Sequence, residues 1–123
     1  QIAAKLINQL CIHTVKDTAS FESVDHYLAQ LSQATMVNAL LKKKALAYAA
    51  RYPFNSDESV LLHGDLHHHN IISSERGWLA IDPKGVIGPR VWEVGAFIRN
   101  PIEKLVQQPQ LKKILADRLM VFA

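Results

Sequence analysis

The chain has one cysteine, Cys11, so it cannot close a disulfide within itself, and a single thiol in 123 residues is the usage of a reducing compartment. The expected location is the cytoplasm. No apolar run approaches the roughly 20 residues that a bilayer-spanning helix needs, and no charged start, apolar stretch and small-residue cleavage site marks a secretory signal. No membrane partner is expected. Charge of one sign is scarce as well: the net charge is +3, and Lys42, Lys43 and Lys44 form the only basic run. Neighbouring residues fan out around a helix, so this run reads as a solvated face and not as the aromatic-interleaved surface that grips nucleic acid. Nucleic acid is not an expected partner. Glycines number five and the first is Gly64, so no glycine-rich loop precedes that point. There is no internal repeat and no low-complexity segment.

What is present suits one compact domain. The length is enough for one and not for two, and about half of the residues are apolar. In the first part, Gln1 to Tyr52, helical spacing dominates: Ile2, Leu6 and Leu10 recur at four, as do Tyr27 and Leu31, and Val37, Leu41, Ala45 and Ala49. Ser20 and Ser23 are candidate caps, and Pro53 is expected to stop the last of these helices. From Val60 the period changes. Val60 to Leu62 reads as a short buried strand, Asn70 to Ser73 as another, and Glu75-Arg76-Gly77 as a turn into a strand from Trp78 to Ile81. After Pro89 the pattern returns to helix, from Val91 to Ile98, with Pro101 opening a further helix, and from Gln110 to Phe122 with Leu111, Leu115 and Leu119 in step. The chain starts and stops inside helical patterns, and it reads as a piece of a longer protein.

The informative stretch is Leu61-Leu62-His63-Gly64-Asp65-Leu66-His67-His68-His69-Asn70-Ile71-Ile72, followed by Ile81-Asp82-Pro83. It resembles the protein-kinase pattern H-R-D-L-x-x-x-N and, later, D-F-G, in which one Asp orients the attacking hydroxyl while Asn and a second Asp hold magnesium. Here the His lies two before Asp65 and Asn70 five after it, as in that pattern. Antiparallel pairing of the two strands brings Asn70 and Asp82 to one end of a hairpin, within reach of one metal. Hard oxygen ligands suit magnesium, which takes one or two protein ligands plus phosphate oxygens. Asp65, free of the metal, is then the base that accepts the hydroxyl proton. Taken singly, each residue has a bland reading as a turn former. All three at these intervals, each beside an apolar run, favour the site.

The triplet His67-His68-His69, with His63, invites a zinc reading, and a histidine-rich metal-dependent hydrolase is the alternative from another enzyme class. Against it, adjacent histidines in extended chain point to opposite faces, and Gly64 stands where the helical H-E-x-x-H pattern needs Glu. His67 occupies the place where many kinases carry a lysine near the phosphate, so it is a candidate contact for phosphate or substrate. His63 is expected to pack beneath the loop and brace its backbone. A third reading, a degraded pseudokinase or binding module, sits poorly with an intact Asp65, Asn70 and Asp82 set.

Leu62-His63-Gly64-Asp65-Leu66-His67-His68, Asn70-Ile71, Arg76-Gly77-Trp78-Leu79, Ile81-Asp82-Pro83 and Gly85 together closely resemble the aminoglycoside phosphotransferases of the streptomycin 6-kinase and hydroxyurea kinase group. The resemblance is sharp from about Val60 to Pro101. It implies an α+β, protein-kinase-like carboxy-terminal lobe, mainly helical, with a short antiparallel β-hairpin carrying the catalytic and metal residues. It further implies an ATP- and Mg2+-dependent phosphotransferase acting on a small-molecule hydroxyl, with Asp65 as catalytic aspartate and Asn70 and Asp82 as metal ligands. Residues 1–123 are then part of that lobe, with the amino-terminal ATP lobe and the final helices outside it. Such a piece is expected to be inactive alone and to associate through the apolar surface that truncation exposes.

Overall fold

The computed structural model describes residues 2–11, 20–51 and 59–122. The stop at Pro53 lies outside the described residues. Helix α1, Ile2–Leu10, turns Ala3, Leu6 and Ile7 inward, the spacing of one helical face. Helix α2, Val24–Gln33, starts where Ser23 Oγ accepts the His26 backbone N–H at 3.2 Å, so Ser23 is the cap and Ser20 is not. Helix α3, Ala39–Arg51, begins two residues later than Val37. Its cap is Asn38, whose side-chain oxygen accepts N–H groups from Leu40 and Leu41 at 3.0 and 3.2 Å. Lys42 departs from the solvated-face expectation: its ammonium donates to the Ser32 and Ala34 carbonyls at 3.3 and 2.8 Å, closing the carboxy-terminal end of α2.

Among the described residues, five short strands form two sheets. β1 (Glu22–Ser23), β5 (Val86–Pro89) and β2 (Ser59–Leu62) make a three-stranded sheet in the order β1-β5-β2, with β1 parallel and β2 antiparallel to the central strand. The sequence reading missed this sheet. Its centre, Val86-Ile87-Gly88-Pro89, carries Gly and Pro within four residues and so reads as a turn. Gly88 is there because α2 packs on the sheet at that point: a Cβ would lie 2.5 Å from Val24 Cγ2.

The second sheet is the expected hairpin, β3 (Ile71–Ser74) with β4 (Gly77–Ala80), in register from Ile71↔Ala80 to Ser74↔Gly77. It differs from expectation in what it carries. Asp65 lies ahead of it, on the loop after β2, and Asn70 closes a 3-10 turn, His68–Asn70, instead of starting the strand. The candidate residues flank the hairpin.

Beyond β5 the helix expected from Val91 is split. A 3-10 turn, Arg90–Glu93, leads into α4, Val94–Arg99. Pro101 precedes α5, Ile102–Leu105, as its cap, and α6 runs Leu111–Met120. Arg118 of α6 donates to the Phe97, Ile98 and Asn100 carbonyls at 3.3, 2.8 and 2.6 Å, which satisfies the open end of α4. The core gathers Leu6, Ile7, Cys11, Val24, Leu62, Leu66 and Val86. No helix among the described residues is long and apolar enough to cross a membrane.

Candidate active site

β2 delivers the chain to His63, and Gly64 then turns it with φ +81. A Cβ at position 64 would lie 2.7 Å from Val86 Cγ2 and 3.4 Å from Lys84 Cβ, so glycine is what lets the 82–86 segment press against the loop. Two residues on, Leu66 is fully buried and anchors the loop in the core. Burying such a side chain stabilises by about 1.5–3 kcal/mol. Asp65 therefore projects from between a glycine turn and an apolar anchor.

His63 braces this loop from beneath, as its sequence position suggested. It is 6% exposed; its Nδ1 accepts the Asp65 backbone N–H at 3.3 Å and its Nε2 lies 2.9 Å from the Ile81 carbonyl. A carbonyl can only accept, so Nε2 carries the proton and the ring is neutral. The His63 carbonyl in turn accepts the Lys84 and Gly85 N–H groups at 2.8 and 3.3 Å. One residue thus ties the loop before the hairpin to the segment after it.

Asn70 is the second joint. Its amide nitrogen donates to the Asp65 carbonyl at 3.0 Å, its backbone N–H to the His67 carbonyl at 2.9 Å, and its own carbonyl accepts the Ile81 N–H at 3.0 Å. That last bond extends the hairpin ladder one step beyond Ile71↔Ala80, and Asp82 follows immediately. With the amide nitrogen engaged, the amide oxygen is the end left for a cation. Asp82 is exposed and sits at φ +60, a left-handed conformation that Asp tolerates better than most residues.

The Asp65 carboxylate is one-fifth exposed and meets the Lys84 ammonium, whose Nζ lies 2.9 Å from Oδ2, and the His67 ring, whose Nε2 lies 3.9 Å from Oδ1. Burial pushes its pKa up, but the hydrogen bond and charge of Lys84, then the charges of His67 and Arg99, outweigh it and hold the carboxyl below its ordinary 3.8. Asp65 is ionised at neutral pH. His67 also caps the following turn, its Nδ1 accepting the His69 N–H at 3.2 Å.

Glu93 was not found from the sequence. It is 1% exposed, both its oxygens accept the Gly64 N–H at 3.2 and 3.1 Å, and Oε1 accepts the Leu66 N–H at 3.4 Å. A carboxylate from the 3-10 turn before α4 thereby fixes the backbone on either side of Asp65. The available signal was an acid inside the apolar run Val91-Trp92-Glu93-Val94, which is unusual unless the acid is paired. Its charge is felt at Cys11, whose thiol is pushed up to about 11 by burial and then by Glu93, against a lowering by Arg90. That thiol is inert packing.

The histidines do not converge. His68 stacks on Phe97 with centroids 4.4 Å apart, and its pKa is lowered by burial and then by Arg118, His67 and His69. Among the described residues no group of three or more His, Cys, Asp or Glu side chains could hold a metal ion. The zinc hydrolase reading loses its ligand set. An amide oxygen and one carboxylate do suit magnesium, which leaves its remaining positions to phosphate oxygens and water.

The family model for the aminoglycoside/hydroxyurea antibiotic resistance kinases matches residues 1–123. The chain belongs to that family. It is 51% identical over 41 residues to a streptomycin 3''-kinase of Klebsiella pneumoniae, across 32% of this chain and 15% of that protein. It is 32% identical over 65 residues to a methylthioribose kinase of Escherichia coli O45:K1 (strain S88 / ExPEC), across 52% of this chain and 16% of that protein. An amicoumacin kinase solved in complex with AMP-PNP, Ca2+ and Ami has the same fold over 98% of this chain and 39% of its own, with a TM-score of 0.62 at 14% identity. The fold is that of a kinase-like lobe, and the family is one of small-molecule kinases. The matched stretches cover about a sixth of either curated relative.

Proposed function

We propose that this chain is the carboxy-terminal lobe, or most of it, of an ATP- and magnesium-dependent kinase that phosphorylates a hydroxyl of a small antibiotic, an aminoglycoside such as streptomycin or a hydroxyurea-like compound. The observation that carries the reading is the Asn70 joint. One side chain and its backbone tie the Asp65 loop to the Ile81-Asp82 segment, so base and cation ligands form a single preorganised unit.

In this reading Asp65 accepts the hydrogen bond of the acceptor hydroxyl and takes its proton as the new O–P bond forms. A positioned base of this kind contributes about 10²–10⁴ in rate. Asn70 and Asp82 hold Mg2+, which when bound neutralises charge on the phosphates of ATP. Glu93, His63 and Leu66 keep the loop from moving while this happens. His67, beside Asp65, is placed to meet phosphate or acceptor.

The glycine-rich loop and lysine that cradle the other side of the nucleotide belong to the amino-terminal lobe, outside residues 1–123. The exposed Leu40, Leu41 and Tyr48 of α3, and Met120 at the end of α6, fit surfaces that pack against the rest of such a protein or another copy. The test is to incubate the full-length protein with ATP, Mg2+ and a panel of hydroxylated antibiotics, and to follow each by mass spectrometry. Addition of one phosphate to a panel member is the expected result. No addition to any member, with ATP bound, argues against a small-antibiotic acceptor.

A further inference from the structure

The kinase pattern places a lysine two residues after its catalytic Asp, and this chain has His67 there. A cation nevertheless reaches Asp65, from elsewhere. Lys84 comes from the segment after the hairpin and sets its ammonium 2.9 Å from Asp65 Oδ2, on the oxygen that His67 does not face. The approach is built into the backbone. The Lys84 N–H is held by the His63 carbonyl at 2.8 Å, and Gly64 lets the segment that carries Lys84 press on the loop, since a Cβ at position 64 would lie 2.7 Å from Val86 Cγ2. The pair adds only a small increment to folding: the Lys84 side chain is 58% exposed, and ion pairs of that exposure contribute little. A flexible four-carbon stem with its root fixed and its head in solvent is free to change partner.

We propose that Lys84 is a catalytic residue of the phosphoryl transfer assigned above, supplying the charge that position 67 lacks. In the resting site it neutralises Asp65. As charge builds on the oxygens of the γ-phosphoryl group in flight, the ammonium moves to them and leaves Asp65 to the acceptor hydroxyl. The acceptor oxygen then forms its bond to phosphorus, the bond from phosphorus to the β–γ bridging oxygen breaks with its electron pair leaving on ADP, and the hydroxyl proton goes to Asp65. Lys84 keeps its protons throughout and stabilises charge only on the group in flight. This inference rests on the kinase reading, and it makes its own demand: Lys84 matters to the transferring phosphoryl group and not to nucleotide or acceptor binding.

The experiment uses the full-length protein, wild type, Lys84→Met and Lys84→Arg. For Lys84→Met, kcat falls about 10²-fold while the acceptor KM and the Kd for Mg-AMP-PNP stay within about threefold. Binding of Mg-ADP with aluminium fluoride, a mimic of the phosphoryl group in flight, weakens at least about tenfold while ADP alone binds as before. Lys84→Arg, which keeps the charge, recovers part of both losses. The fluoride arm needs no acceptor, so it tests Lys84 even if the antibiotic panel misses the substrate. Unchanged fluoride-complex affinity in Lys84→Met, or an unchanged kcat, overturns the inference and leaves the kinase reading standing. A wild-type protein that forms no Mg-ADP-fluoride complex overturns both.

Discussion

The proposed role of Asp65 as a base depends on neighbours that keep it charged. Its pKa in the folded chain is below the ordinary 3.8, so between the lowered and the ordinary value the unfolded chain binds more protons than the folded one. The stabilisation is complete above about pH 4 and is lost as pH falls through the lowered value. Acid denaturation of wild type against Asp65→Asn reads this directly: the wild type should lose stability more steeply below that point, and parallel curves would detach Lys84 from Asp65. At position 93, Glu93→Ala leaves the Gly64 and Leu66 N–H groups without their buried acceptor. A cost of about 1–3 kcal/mol in chemical denaturation is expected, and a loss under a few tenths would show that water replaces the carboxylate. Asp82→Ala should weaken magnesium-dependent nucleotide binding in the full-length protein, and an unchanged magnesium titration would remove Asp82 from the cation site. Asp65, Asn70 and Asp82 could be singled out as candidates because their spacing is local and carries a known pattern. Glu93 and Lys84 were not, because each reaches the loop across a distant backbone contact that leaves no periodic trace in the sequence.

At the scale of elements, the packing beside the Asp65 loop and the packing of the outer helix α3 are of unequal strength. On one side His68 stacks on Phe97 of α4, Phe97 meets Phe122 edge-on at 5.5 Å, and Arg118 of α6 caps α4. The lowered pKa of His68 makes this junction sensitive to acid. Its contribution is complete above the ordinary value of 6.5 and declines as pH falls below it, because the unfolded chain then takes up the proton more readily. On the other side α3 buries no residue and is tied to the end of α2 by Lys42. Hydrogen exchange should therefore find α3 opening at much lower free energy than β5, whose Val86, Ile87 and Gly88 are all buried. Equal protection in the two would contradict that ranking. Strong helical periods at Ile2, Leu6 and Leu10, and at Leu111, Leu115 and Leu119, gave those helices correctly. β5 was hidden because a four-residue strand containing Gly88 and Pro89 takes its stability from pairing with β1 and β2, and pairing is not a property of the strand's own residues.

For the whole molecule, the proposed function makes the fold one half of a phosphate-handling site, with Asp65 as base and Asn70 and Asp82 as donors to a cation. Magnesium alone is held poorly by one carboxylate and one carboxamide, so in that proposal the site is completed only by the phosphates of a bound nucleotide. Residues 1–123, purified alone, should fold around the core of Leu6, Ile7, Val24, Leu62, Leu66 and Val86 and yet transfer no phosphate. The comparison that tests this most directly is phosphotransfer from ATP by residues 1–123 and by the full-length protein, under identical magnesium, nucleotide and acceptor conditions. The account predicts turnover by the full-length protein and none by the shorter chain. Turnover by residues 1–123 at a rate comparable to the full-length protein would contradict it.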